Sequence, residues 1–186
     1  MFYSNGCKYT GQWLKNVQNG SGTFYYPDGS KETGCFVDGN LEGQGNYFGI
    51  DGDQYVGNWE HGEKNGHGTY YYANGDKYGN WIDDLENGLG TFFYADGTRF
   101  QGCWENGHKN GPGIIYTVKG GKLVGNWENG LLNGRGTYYF PNGAYEVGSF
   151  VEGKRDGLWK RFDDEGSVWQ AFFEDNEIVE DWLPDK

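Results

Sequence analysis

Residues 55–70 read Tyr55-Val56-Gly57-Asn58-Trp59, then Gly62, then Gly66-His67-Gly68-Thr69-Tyr70. The same arrangement lies upstream and downstream. An aromatic recurs at Trp13, Phe36, Trp59, Trp81, Trp104, Trp127, Phe150 and Phe173, at spacings of 23 residues with a single 22. Two residues before each stands a glycine, from Gly11 to Gly148, with Ala171 in the last copy. Seven residues after each of the first seven comes another, Gly20 through Gly157, and nine after come Gly22 through Gly136. Several columns held in register over this length define an internal repeat, the mark of an array rather than of one folded core.

Each copy reads as a hairpin. In the first, Tyr9, Gly11 and Trp13 alternate and so share one strand face; Gly20, Gly22, Phe24 and Tyr26 do likewise. Pro27-Asp28-Gly29 then supplies turn chemistry, as do Asp51-Gly52, Asn74-Gly75, Asp96-Gly97 and Asn142-Gly143. Strand glycines are costly in isolation. Two readings account for them: gaps into which rings of neighbouring strands fit, or bulge and turn positions. Either predicts an all-β meander, an elongated single-layer antiparallel ribbon of consecutive hairpins.

Composition agrees. Gly occurs 35 times, far above ordinary usage of about 7%. Such a chain would read as disordered but for its 8 Trp, 15 Tyr and 12 Phe, whose rings bury large areas. The net charge of −12 disfavours phosphate backbones and anionic lipid as partners. Residues 163–186 hold nine carboxylates and one base. Cys7, Cys35 and Cys103 have neither the number nor the spacing of a disulfide or zinc framework, which favours a reducing compartment. No N-terminal apolar region reads as a signal peptide, and no apolar run approaches about 18 residues.

The columns resemble the MORN repeat, Y-x-G-x-W-x-x-G-x-x-x-G-x-G-x-aromatic. Clear units begin at Tyr9, Tyr55, Tyr78 and Phe100, and diverged ones at Glu32, Leu123, Glu146 and Trp169. The resemblance covers residues 5–176 and implies a ribbon with rings lining one face. Members of the family act as scaffolds in cilia and flagella, including radial spoke heads, in cytoskeletal rings and at membrane junctions. It therefore implies a non-enzymatic protein-interaction scaffold of the cytoplasm and cytoskeleton, with the axonemal radial spoke as the leading location. Partner contacts are expected on Tyr9, Trp13, Tyr55, Trp59, Tyr78, Trp81, Phe100, Trp104 and Trp127.

Trp159 replaces a column glycine, and Trp182 would occupy the same column one repeat on. This reads as the end of the array, giving a repeat region of 5–153 and an acidic cap of 154–186. Ile178, Val179, Trp182 and Leu183 fall at helical spacing between a potential N-cap, Asn176, and Pro184. They predict a short capping helix, or a docking motif.

Catalytic constellations do not assemble. The Gly-x-Gly pairs sit mid-strand without GxGxxG or GK[ST], and Asp51-Gly52-Asp53 lacks the rest of a calcium loop. His61, His67 and His108 have no metal-pair spacing. No cofactor and no metal is expected. Two other functions compete with this one. Phosphoinositide or membrane association would rest on Lys154-Arg155 and Lys160-Arg161, the compact basic spot. A bacterial cell-wall carbohydrate reader would rest on Tyr71-Tyr72 and Tyr138-Tyr139 in Gly-aromatic hairpins. Expected partners are thus proteins in a larger assembly, not nucleic acid or membrane; exposed terminal strands offer a route to a homodimer.

Overall fold

A computed structural model describes residues 1–72 and 75–184, without the side chains of Asp76 and Tyr78. The chain forms two compact units, Met1–Phe92 and Phe93–Lys186. The first holds β1 (Lys8–Leu14), β2 (Val17–Tyr25), β3 (Lys31–Val37), β4 (Asn40–Phe48), β5 (Gln54–Glu60), β6 (Glu63–Tyr72), β7 (Gly75–Ile82) and β8 (Leu85–Phe93). The second holds β9 (Arg99–Glu105), β10 (His108–Tyr116), β11 (Lys122–Glu128), β12 (Leu131–Tyr139), β13 (Tyr145–Val151), β14 (Lys154–Phe162), β15 (Val168–Glu174) and β16 (Glu177–Pro184). Strand order is chain order, pairing within each unit is antiparallel throughout, and no helix occurs among the described residues. The protein is all-β, a meander of consecutive hairpins.

Two kinds of turn alternate. The wider loops are the ones the sequence marks: Tyr26 N donates to Ser30 O (2.9 Å), and Asp28 Oδ1 accepts from Ser30 N and Oγ at 2.8 and 2.7 Å. Asp96 does the same for Thr98, and those bonds hold both carboxyls below the usual Asp range. The other turns are two-residue links with both φ angles positive, such as Lys15-Asn16 (49° and 65°) and Asn129-Gly130 (49° and 87°). That conformation matches the twist of the flanking strands. Its second amide reaches the preceding hairpin: Gly62 N donates to Leu41 O (3.1 Å) and Gly153 N to Leu132 O (2.8 Å). These hairpin tips are thereby tied to the hairpin before them.

The two readings of the strand glycines divide between columns. Gly66 has φ +89°, and its counterparts from Gly20 to Gly157 are also positive, so this column serves a bulge. The column two residues on serves space. A Cβ at Gly113 would stand 2.5 Å from the Phe100 ring, and one at Gly68 would collide with Tyr55. Side chains fill that space at both glycines, and elsewhere the filler is a different residue. Tyr9, Tyr55 and Phe100 fill it in their own repeats. Where that position is Glu32 or Leu123, the filler is Leu41 or Leu132, whose methyl groups lie where a Cβ of Gly34 or Gly125 would go. Where it is Glu146, the filler is Trp159, fully buried over Gly148. Trp159 is thus a substitute ring, and β14 to β16 continue the same pairing beyond it.

One expectation needs correction. Residues 177–184 form β16, not a helix. Asp175 and Asn176 (φ 51° and 73°) make a tight turn, and Asn176 Oδ1 accepts from Arg155 N at 2.6 Å instead of capping a helix. Ile178 and Val179 are β-branched and suit the strand. In the repeat with the 22-residue spacing, Lys77 stands opposite Tyr70, as Tyr55 stands opposite Tyr47. Lys77 is 1% exposed and pairs with Glu86 (3.4 Å). The side chain of Tyr78 lies outside the described residues.

Candidate partner-binding face

The inward face carries one motif three times. Tyr9 stands edge-on to Trp13 of its own repeat and to Phe36 of the next, at centroid distances of 5.0 and 5.1 Å. Tyr55 does so with Trp59 and Trp81 (both 5.4 Å), and Phe100 with Trp104 and Trp127 (5.5 and 5.0 Å). Edge-to-face contact sets the positive ring edge against the negative ring face, and each buried ring adds about 1.5–3 kcal/mol. The tyrosine hydroxyls turn back on the sheet: Tyr9 donates to Gln12 O (3.2 Å) and Tyr55 to Asn58 O (3.0 Å).

The expected contact residues therefore divide. Tyr9, Tyr55, Trp59, Trp81, Phe100 and Trp127 are buried and form the core of their units. Trp13 is 37% exposed, and Trp104 is partly buried against its cluster. At the C-terminal end Trp182 packs on Phe173 (6.1 Å), while Ile178, Val179 and Leu183 are exposed.

Sequence reading passed over the column five residues after each tryptophan. It holds the cations that roof the rings. Lys64 Nζ lies 5.8, 5.8 and 5.6 Å from the centroids of Tyr55, Tyr70 and Trp81, and 2.9 Å from Asp84 Oδ1. Lys109 covers Phe100 and Tyr94 (5.0 and 5.2 Å). Arg155 covers Trp159 and Phe173 (4.3 and 5.2 Å) and pairs with Glu146 at 2.8 Å. In each case the apolar stem packs on rings while the charge keeps a partner. The column mixes types, Gln18, Leu41, Lys64, Glu86, Lys109, Leu132, Arg155 and Ile178, so its three cations do not stand out in the sequence.

Around Lys64 the first unit has a concavity of about 200 Å³ lined by Glu32, Tyr47, Trp59, Gly62, Tyr70 and Asp84. Burial raises the Glu32 carboxyl, partly countered by its hydrogen bond with Tyr26. Burial likewise raises the phenols of Tyr55 and Tyr72 and pushes Tyr70 up to about 12, with Asp53 adding to the last. These phenols stay neutral at physiological pH, hydrogen-bonding groups and not nucleophiles. No group of three His, Cys, Asp or Glu among the described residues is placed to hold a metal ion.

A model of the MORN repeat matches residues 9–31, 33–54, 55–77, 78–99, 100–122 and 124–145. No curated protein matches the chain significantly in sequence. Among solved structures, the G-box domain of the microcephaly protein CPAP is similar, with 11% identity, TM-score 0.57, and 100% of this chain and 96% of that one covered. The TCP domain of Drosophila melanogaster SAS-4 (dCPAP), in complex with a proline-rich motif of Ana2, is similar with 14% identity, TM-score 0.50 and coverage of 91% and 87%. At these identities the likeness is one of fold.

Proposed function

The chain belongs to the MORN-repeat family, and we propose that it is a non-enzymatic scaffold that holds protein partners in a cytoskeletal assembly, with the ciliary or flagellar axoneme as its place of work. The observation that carries this reading is the ring motif that recurs in each unit, at Tyr55 under Lys64 and at Phe100 under Lys109, with ring edges left open beside it. Catalysis needs groups converging on a water-excluded pocket. Here the perturbed carboxyl and phenols serve packing, and the lowered carboxyls of Asp28 and Asp96 serve turns. Partner contacts fall on the ring edges left open, Trp13 and Trp104, and on Ile178, Val179 and Leu183 of β16. The acidic segment from residue 154 onward acts as a cap, and the terminal strands as a route to a homodimer.

The similar folds support this reading. For the CPAP G-box domain a role in centriole elongation is suggested, and the SAS-4 domain was solved with a proline-rich motif of its partner. The test is localisation of the tagged chain at native expression level in a ciliated or flagellated cell. Enrichment along the axoneme is expected, and a diffuse signal that detergent extraction removes would overturn it.

A further inference from the structure

The tight turns make a contact between repeats of which β1 and β16 each hold one half. A turn amide donates to the strand before it: Gly62 N to Leu41 O, Asp84 N to Lys64 O, Asn176 N to Arg155 O. Two of these turns also accept a bond in return, from Lys64 N to Asp84 Oδ1 and from Arg155 N to Asn176 Oδ1. Asn16 stands in the turn column of Asp84 and Asn176, at φ 65° against their 65° and 73°. Its turn follows β1, the first strand of the sheet. Ile178 stands in the strand column of Lys64 and Arg155, on β16, whose outer edge pairs with no strand among the described residues. Asn16 is the turn half of the contact, and Ile178 is the strand half.

We propose that β16 of one copy docks on β1 of another, head to tail, so that the register of the array continues between molecules. Three further matches carry the assignment. The first is register. Between β14 and β15, Gly157 stands opposite Phe173 and Trp159 opposite Ala171. The same columns set Glu180 opposite Trp13 and Trp182 opposite Gly11, so the tail's ring again meets a small residue. The second is an ion pair. Lys154 meets Asp175 of the following turn at 3.4 Å, and Glu177 and Lys15 hold those two columns with the signs exchanged. The third is the placing of charge. Residues 1–27 hold Lys8 and Lys15 and no acid, whereas residues 163–186 hold nine carboxylates and one base. A head therefore attracts a tail and two tails repel, which disfavours a symmetric dimer through β16. Residues 1–3 cover only one end of β1: Met1 N donates to Tyr9 O (2.7 Å) and Phe2 pairs with Lys8. Residues 10–14 are left for the tail. Pro184, which has no N–H for the ladder, turns aside from the place that Met1 holds.

The proposal rests on the terminal-strand route to self-association and not on the axonemal reading, which localisation tests by itself. Sedimentation velocity of the untagged chain over a wide concentration range is the test. The mass should rise past the dimer with concentration, because each added copy brings a free end. Lys15→Glu and Glu177→Lys should each weaken association roughly fivefold or more. K15E/E177K should restore it, since the pair re-forms with its signs exchanged. Both side chains are exposed, and melting curves check that the variants fold. A monomer at every concentration would overturn the proposal, and so would K15E/E177K associating no better than the single variants. A mass that stops at the dimer, or stronger association by E177K alone, would also overturn it, while leaving a closed terminal-strand dimer standing.

Discussion

The ring of Tyr55 lies over Gly68 and meets Trp81 edge-on at 5.4 Å and 78°, so one side chain joins its own hairpin to the next. The gap at Gly68 and the ring at Tyr55 are two halves of one contact. Removing either should loosen both hairpins.

The two glycine columns should respond differently to alanine. At Gly68 a methyl collides with the Tyr55 ring, and overpacking of this kind costs about 1–3 kcal/mol. At Gly43 nothing lies within 4 Å and only the φ of +71° resists, a cost of about 1–2 kcal/mol. Pairing each variant with a Tyr55→Leu background in urea melts separates them. The background should relieve Gly68→Ala and leave Gly43→Ala unchanged.

Glu32 and Leu41 should be coupled. Leu41 fills the space over Gly34 and Gly45 that a ring fills in the repeats of Tyr9 and Tyr55. Glu32→Tyr alone inserts a second filler, and Leu41→Lys alone removes the side chain that covers Gly34. The double variant restores the Tyr55/Lys64 pairing of the third repeat. A double-mutant cycle should give a favourable coupling of about 1–3 kcal/mol; additive effects would mean the space is not shared.

Glu32 should also impose a pH dependence. Burial raises its carboxyl above the ordinary value of 4.5. Between its unfolded and folded values the folded state binds more protons, so its contribution is complete below about 4.5 and is lost as pH rises through the folded value. Glu32→Gln should therefore raise the melting temperature at pH 7 relative to the parent, with a smaller gain at pH 4. Thermal melts at the two values decide it.

Glu146 is 6% exposed in its side chain and answers Arg155 at 2.8 Å and Arg161 at 3.7 Å. Glu146→Gln leaves both guanidinium groups facing rings and backbone. Because the arginines are themselves partly exposed, the loss should be about 1–3 kcal/mol, below the full cost of breaking a buried pair. Chemical denaturation at low and at 1 M salt is the check, and the parent should lose part of its advantage at high salt.

Replacing Lys15-Asn16 by Asn-Gly should stabilise the first unit. Both φ angles are already positive, at 49° and 65°, and lysine pays for that conformation while Asn-Gly favours it. A gain of about 0.5–1 kcal/mol is expected in urea melts.

The fold class was legible because its causes are local. Alternation over five residues places Tyr9, Gly11 and Trp13 on one face, and the 23-residue period repeats that choice down the chain. The helix expected at residues 177–184 failed because the spacing of Ile178, Val179, Trp182 and Leu183 fits two periods, and pairing with β15 together with the bond from Arg155 to Asn176 chooses between them. In the shortened repeat the register places Lys77 opposite Tyr70, a one-residue shift against the repeat of Tyr55.

What the sequence by itself determined is the hairpin meander and its ring and glycine columns, since strand alternation and turn chemistry act over a few residues. Only the tertiary structure decided which residue fills each gap: Tyr55 over Gly68, Leu41 over Gly45, Trp159 over Gly148. The reason is that a gap is a volume shared by adjoining strands, and any side chain that reaches it first excludes the others. The same holds for charge: Arg155 turns inward to Glu146 while Lys160 stands on the outward face, a division that the pleat makes and a count of basic residues does not.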